Sequence, residues 1–269
     1  MSEWQGKTAL VTGASFGIGE AFARRLAAEG ANVIVTARSQ DRLAALAEEL
    51  RARHGVKVSV VVADLAEDSG PETILRATEG SGQPVDLLIN NAGFGVVGDF
   101  ADLPLAKQQL MIQVNVTALV TLSHLFLQPM LQRRSGAIVH VSSTAAFQGV
   151  PYMAAYAATK AFILNFSEGL WAECAAHGVR IQALCPGATA TNFQQVAGTA
   201  PLRDHSKMQT PEEVVAASLQ GLAQNQSVVV SGLANQAMVF AERFVPRQFV
   251  TRAAARLYQP FSTRTNAAK

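Results

Sequence analysis

The sequence predicts an α/β fold, a doubly wound sheet of seven parallel strands with helices on both faces. Short runs rich in Val and Ile recur at residues 8–11, 32–36, 56–62, 85–90, 137–141, 180–184 and 227–230. Segments of helical composition and period lie between them, as at 18–29 and 42–53. Strands joined through helices run parallel, a parallel sheet needs cover on both faces, and right-handed crossovers wind it doubly.

In chain order, the first strand feeds a glycine-rich turn and the helix over 18–29, which Gly30 follows. The second strand precedes the helix over 42–53, which stops before Gly55, the residue type that best accepts a left-handed turn. The third and fourth strands end at Asp64-Leu65 and Asn90-Asn91-Ala92-Gly93. The longest apolar stretch, 110–131, could span a bilayer by length, but Gln113, Asn115, His124 and Gln128 interrupt it, so a buried helix is expected. The fifth strand runs into Ser142 and Ser143, and the next helix carries Tyr156 and Lys160 ahead of the sixth strand. From Pro186 to Gln209 the chain is mostly small and polar, too long for an ordinary connection, and reads as a lid or binding loop. Thr210-Pro211-Glu212-Glu213 then reads as an N-cap, a proline at the first helical position and a capping-box glutamate, opening the helix before the seventh strand.

The 269 residues are 49% hydrophobic, ample for one large core. A net charge of +2 from 22 basic and 20 acidic residues does not suggest duplex binding, so nucleic acid is not an expected partner. Cys174 and Cys185 fall on a helix and a buried strand, the use made of free thiols in a reducing compartment. No apolar run precedes the first strand, so a cytoplasmic location without an integral membrane span is expected. His54, His124, His140, His177 and His205 show no pairing at ligand spacing, and no metal is expected.

The chemistry-bearing residues cluster where strands end. Thr12-Gly13-Ala14-Ser15-Phe16-Gly17-Ile18-Gly19 joins the first strand to its helix. Glycines there let the backbone turn tightly against a pyrophosphate, and the N–H groups and positive dipole end of the helix meet its charge. The spacing, Gly-x-x-x-Gly-x-Gly, is not the commonest dinucleotide fingerprint, and a tight turn without a ligand is the bland alternative. Where an acid commonly contacts the ribose hydroxyls, the second strand ends in Arg38, whose guanidinium suits a 2′-phosphate, so NADP(H) is the expected cofactor. Asp64, Leu65, Asn91, Ala92 and Gly93 lie on the same carboxyl edge. Asp64 could instead cap a helix, and Asn90 could tie neighbouring strands. Tyr156 and Lys160, four apart on a helix, share one face, so the ammonium can favour phenolate. Ser143 precedes Tyr156 by 13 positions, and Ser142 is its rival.

Thr-Gly-x-x-x-Gly-x-Gly, Asn-Asn-Ala-Gly, Ser143, Tyr156-x-x-x-Lys160 and Pro186-Gly187, in this order, resemble the short-chain dehydrogenase/reductase family over about residues 7–230. The resemblance implies a Rossmann-type domain and NADPH-dependent, reversible reduction of a ketone or aldehyde. Tyr156 is then the catalytic acid/base, Lys160 binds the nicotinamide ribose and lowers the tyrosine pKa, Ser143 binds the substrate oxygen, and Asn115 holds a water in the proton relay. It also implies that Pro186, Gly187 and Thr191 meet the nicotinamide end, with Thr189 the alternative to Thr191. Phe94, Ala145, Phe147, Tyr152, Phe193 and Val196 are placed to line an apolar substrate pocket or to pack as core. A homodimer or homotetramer is expected.

Residues 1–232 are expected to form one dinucleotide-binding and catalytic domain, and 233–269 a helical extension in two pieces broken at Pro246. That tail interleaves Phe240, Phe244, Phe249, Leu257 and Phe261 with Arg243, Arg247, Arg252 and Arg256. It is expected to pack on the core or a second subunit, the alternative being a membrane surface. A non-catalytic NADP-binding regulatory or structural protein is the rival to the enzyme reading.

Overall fold

The computed structural model describes residues 2–193, 197 and 208–259. Seven parallel strands form one sheet in the order β3-β2-β1-β4-β5-β6-β7. They span β1 Thr8–Thr12, β2 Asn32–Ala37, β3 Val58–Val62, β4 Leu87–Asn90, β5 Gly136–Val141, β6 Val179–Cys185 and β7 Val228–Val230. The helices that matter to the site are α1 Gly17–Ala28, α2 Gln40–His54, α3 Gly70–Ala77, α4 Leu105–Ile112, α5 Ala118–Arg133, α6 Ala154–Cys174, α7 Pro211–Ala223, α8 Leu233–Glu242 and α9 Arg247–Tyr258.

Strand alternation builds two apolar layers, because successive side chains point to opposite faces. Val11, Val33 and Val35 pack with Phe22 and Leu26 of α1, Leu43 and Leu50 of α2 and Leu219 of α7. Leu10, Ile34, Leu88 and Ile138 face the other way, onto Ile74, Leu122, Phe126 and Met130. The strands are thus buried from both sides, which is why they read as continuous apolar runs rather than alternating ones.

Several local expectations hold. Gly55 closes α2 in the left-handed conformation at φ 66°. Thr210 Oγ1 accepts from the Glu213 amide while the Glu213 carboxylate accepts from the Thr210 amide, completing the capping box before Pro211. Cys174 and Cys185 are buried and free. Other boundaries shift: β3 starts at Val58 and β4 at Leu87, two residues later than their apolar runs suggest. Asp86 is drawn out of the apolar run because its carboxylate accepts from the Thr8 amide and faces Lys7.

The 110–131 stretch lies in a continuous helical run, Leu105–Arg133, that is long and apolar enough to cross a membrane by length and composition. It packs on the sheet through Leu119, Leu122, Phe126 and Met130, while Leu110 and Ile112 are exposed. The helix is therefore half-buried rather than enclosed. A π-helical turn at Gln113–Thr117 separates α4 from α5. In the tail the two helical pieces are α8 and α9, separated where expected, with Pro246 at the N-cap of α9. Phe261, Val196 and most of the loop expected to act as a lid lie outside the described residues.

Candidate active site

Strand order reverses between β1 and β4, and parallel sheets of this kind open a crevice there at the carboxyl edge. Gly13 and Gly17 take φ values of 65° and 62°, left-handed conformations that favour glycine. A Cβ on Gly19 would lie 2.4 Å from the Gly13 carbonyl oxygen and 2.5 Å from Asn91 Nδ2, so helix and turn approach too closely for any side chain. Phe16, the N-cap of α1, makes no side-chain cap hydrogen bond, so the first-turn amides rely on no local acceptor. Gly13, Ser15, Phe16, Gly17, Ile18 and Gly19 thus form a backbone cradle of the shape and polarity a pyrophosphate needs.

Asn91 and Thr12 hold that cradle in place. Asn91 Nδ2 donates to the carbonyls of Thr12 and Gly13 at 2.9 and 3.2 Å. Thr12 Oγ1 accepts from the amides of Asn91 and Ala92, each at 3.0 Å, and donates to the Ile89 carbonyl. Asn90 points away from the edge: its Nδ2 donates to Ser123 Oγ, in a buried chain that continues through His140 to Ser167. Burial lowers the His140 imidazole to about 3, so it stays neutral inside this chain. Asn90 is therefore the strand-tying residue and Asn91 the one at the crevice.

Arg38 is exposed immediately after β2 and has no ion-pair partner among the described residues. Asp64 Oδ1 accepts from the Ala66 amide at 3.0 Å, stabilising the turn after β3 well before α3 begins, and Leu65 beside it is buried. Thr191 packs against the cradle: a Cβ on Gly17 would meet its Cγ2 at 3.1 Å. Thr189 Oγ1 instead donates back to the Gly187 carbonyl. Thr144 donates its amide to the Pro186 carbonyl, joining the two loops that follow β5 and β6. At Gly187 the space of a Cβ is occupied by Asn235 of α8 at 2.4 Å, so this glycine admits the tail helix.

Around Tyr156 the expected catalytic side chains converge. Ser143 Oγ lies near enough to the phenol to draw its pKa down, and it accepts from the Ala145 amide at 3.1 Å. Ser142 is 2% exposed and donates to the Lys160 carbonyl, so it is a structural anchor and Ser143 is the serine at the site. Lys160 Nζ donates to the Val141 carbonyl at 2.8 Å and stands 5.7 Å from the Tyr156 ring centroid. Asn115, on the π turn, clamps Phe94 from both sides: Nδ2 donates to its carbonyl and Oδ1 accepts its amide, each at 3.0 Å. Its Nδ2 also donates to Thr159 Oγ1 on α6, tying the clamp to the helix of Tyr156 and Lys160.

Electrostatics here differ from the expectation that Lys160 lowers the tyrosine pKa. Burial pushes the Tyr156 phenol far above its ordinary value, the Ser143 hydrogen bond draws it partly back, and Tyr258 of α9 adds a lesser upward push. Lys160 Nζ donates to the Val141 carbonyl and stands 5.7 Å from the ring centroid, and desolvation of the phenol is the larger effect. Burial also lowers Lys160, to about 8.

Apolar side chains wall the phenol. Phe94, Ala145 and Phe193 pack with Tyr156, and the Phe193 ring lies 5.4 Å from it between centroids. Phe147 belongs elsewhere, packing with Leu164 and Cys185. Tyr152, on the loop between Ser143 and α6, holds φ at 65°, a left-handed conformation that costs a non-glycine residue about 1–2 kcal/mol. Three features of the site were not expected from the sequence: the bracing role of Thr12, the Thr159 contact and the π turn. Position offers a signal for the threonines, each beside a motif residue. The π turn has none in composition.

Comparison with known proteins agrees with this geometry. The family model for short chain dehydrogenase matches residues 7–201. The chain is 32% identical over 232 residues to the 7beta-hydroxysteroid dehydrogenase of Collinsella aerofaciens, covering 85% of this chain and 88% of that protein. A short-chain dehydrogenase from Sphingobium yanoikuyae solved with NADPH superposes with a TM-score of 0.79 at 33% identity, covering 88% of this chain and 93% of the other. One from Burkholderia phymatum solved with NAD gives 0.81 at 25% identity, covering 89% and 93%. With its sheet order, glycine cradle and Ser143, Tyr156 and Lys160 gathered at one edge, the chain belongs to the short-chain dehydrogenase family of oxidoreductases, whose members use a nicotinamide cofactor.

Proposed function

We propose that this protein is an NADPH-dependent carbonyl reductase, reversible as an alcohol dehydrogenase, acting in the cytoplasm on an apolar ketone or aldehyde. The observation that carries the reading is the convergence of the Ser143 and Tyr156 hydroxyls beside a buried Lys160. Reduction places a hydride on carbon and a proton on oxygen, and a nicotinamide cofactor supplies the hydride. Ser143 and Tyr156 both offer O–H donors to one carbonyl oxygen, polarising it and fixing its position. The raised pKa of Tyr156 keeps it a neutral phenol, the form that can give up a proton. After transfer, the Ser143 hydroxyl, which draws the phenol pKa down, stabilises the phenolate. Asn115 has both side-chain ends committed to Phe94 and Thr159, which fixes the π turn beside the helix of Tyr156 and Lys160, where the relay water would be held.

Arg38 supports NADPH over NADH, because an exposed guanidinium without an ion-pair partner suits a 2′-phosphate and no acid takes the ribose position at the end of β2. The wall of Phe94, Ala145 and Phe193 supports an apolar substrate, as does the likeness to a steroid dehydrogenase. Replacement of Tyr156 by Phe, assayed with NADPH against a panel of apolar ketones, is expected to lower kcat by about 100-fold or more while NADPH binding persists. Unchanged turnover would overturn the assignment.

A further inference from the structure

The near-neutral total charge conceals a polarised chain: six of the 22 basic residues and none of the 20 acidic ones follow Glu242. Four of those six, Arg243, Arg247, Arg252 and Arg256, are exposed on or beside α9, and none has an acidic partner among the described residues. Large apolar side chains of α8, α9 and the turn between them also face water. Leu233, Phe240 and Phe244 are 83%, 61% and 74% exposed, and Phe249 and Leu257 are 61% and 53%.

Helical spacing orders these groups. Leu233, Ala237, Phe240 and Phe244 follow one another at four, three and four residues, a single stripe along α8 and the turn after it. The Phe240 and Phe244 rings support each other at 5.3 Å. On α9, Thr251 lies 3.3 Å from where a Cβ on Gly149 would stand, so this side faces the core. The opposite side presents Phe249 between Leu257 on one flank and Arg252 and Arg256 on the other. An apolar patch rimmed by one sign of charge marks a docking surface.

We infer that the outer faces of α8 and α9 dock this protein on an anionic lipid bilayer, the phenylalanines entering the headgroup boundary and the arginines pairing with lipid phosphates. Charge selects this occupant. Two copies meeting about a twofold axis would press like-charged arginines together, with no acidic residue in the stretch to offset them. An anionic bilayer supplies opposite charge and an apolar layer at the depth such helices reach, about 5–10 Å. Docking would also hold the crevice near the bilayer, since α9 carries Tyr258 close enough to act on Tyr156.

The test is co-sedimentation of the full chain with vesicles of phosphatidylcholine and phosphatidylglycerol, against vesicles of phosphatidylcholine alone. The protein is expected in the pellet with the anionic vesicles only, with release by about 1 M salt, where the screening length falls to about 3 Å. Arg252→Gln with Arg256→Gln is expected to weaken partitioning about 30-fold, at about fivefold per cation. Phe240→Ser with Phe244→Ser is expected to abolish it without lowering the melting temperature, because both rings are exposed. Protein that stays in the supernatant with anionic vesicles overturns the inference. So does equal pelleting with neutral vesicles, or a phenylalanine variant that changes oligomeric state and leaves vesicle binding intact.

Discussion

Replacing Lys160 with Met should separate what this residue does for chemistry from what it costs the fold. Lys160 is 5% exposed, and burial lowers it from 10.5 to about 8. Because the folded pKa is depressed for a base, the native state binds fewer protons than the unfolded chain between about pH 8 and 10.5. Stability therefore rises with pH through that window, and the penalty is largest below about 8. A shift of this size corresponds to about 3 kcal/mol at pH 7, falling to about 1 kcal/mol at pH 10.

Two neighbours titrate nearby with the opposite sign. Burial raises Cys185 from 9.0 to about 12 and raises Tyr156 from 10.0, so each binds more protons when folded and lowers stability above its ordinary value. The wild type alone would therefore show a mixed profile, whereas the difference between wild type and Lys160→Met isolates the lysine. Urea unfolding of both cofactor-free proteins from pH 7 to 10 should show that difference moving by about 2–3 kcal/mol in favour of the wild type as pH rises. The variant should also lose turnover. A stability difference that does not move with pH would refute the claim that Lys160 is a desolvated ammonium.

Gly19→Ala is expected to push α1 off the turn, since its Cβ would stand 2.4 Å from the Gly13 carbonyl oxygen. Overpacking of this kind costs about 1–3 kcal/mol, and cofactor affinity should fall with it, read by calorimetry and fluorescence titration. Thr210→Ala removes the capping box and should cost about 1 kcal/mol in urea unfolding. Arg134 holds φ at 51° at the end of α5, so Arg134→Gly is expected to raise stability by a few tenths of a kcal/mol up to about 1 in the same assay.

The sheet was legible because its strands are buried on both faces and stand out as Val- and Ile-rich runs between glycines. The glycine turn and the Tyr156–Lys160 pair were legible because each is a local spacing with a chemical reason. The electrostatics were not: four residues on a helix place Lys160 near Tyr156, yet only packing shows that its ammonium goes to the Val141 carbonyl. Gly187 was read toward the cofactor, while the structure gives its missing Cβ to Asn235, a contact across 48 residues that no local pattern encodes. The π turn at Asn115 escaped for the same reason, since the clamp on Phe94 is a tertiary contact. Of the two readings open for Phe147 the structure takes core packing, a choice the sequence could not make because adjacency to a motif says nothing about which layer a side chain enters.

The central claim, NADPH-dependent reduction at this crevice, is tested most directly by titrating the purified protein with NADPH and with NADH, alone and after Arg38→Asp, following cofactor fluorescence. Much tighter NADPH binding by the wild type and a reversed preference in the variant are expected. Equal or tighter binding of NADH by the wild type would contradict the role given to Arg38, and binding of neither cofactor would contradict the enzyme itself.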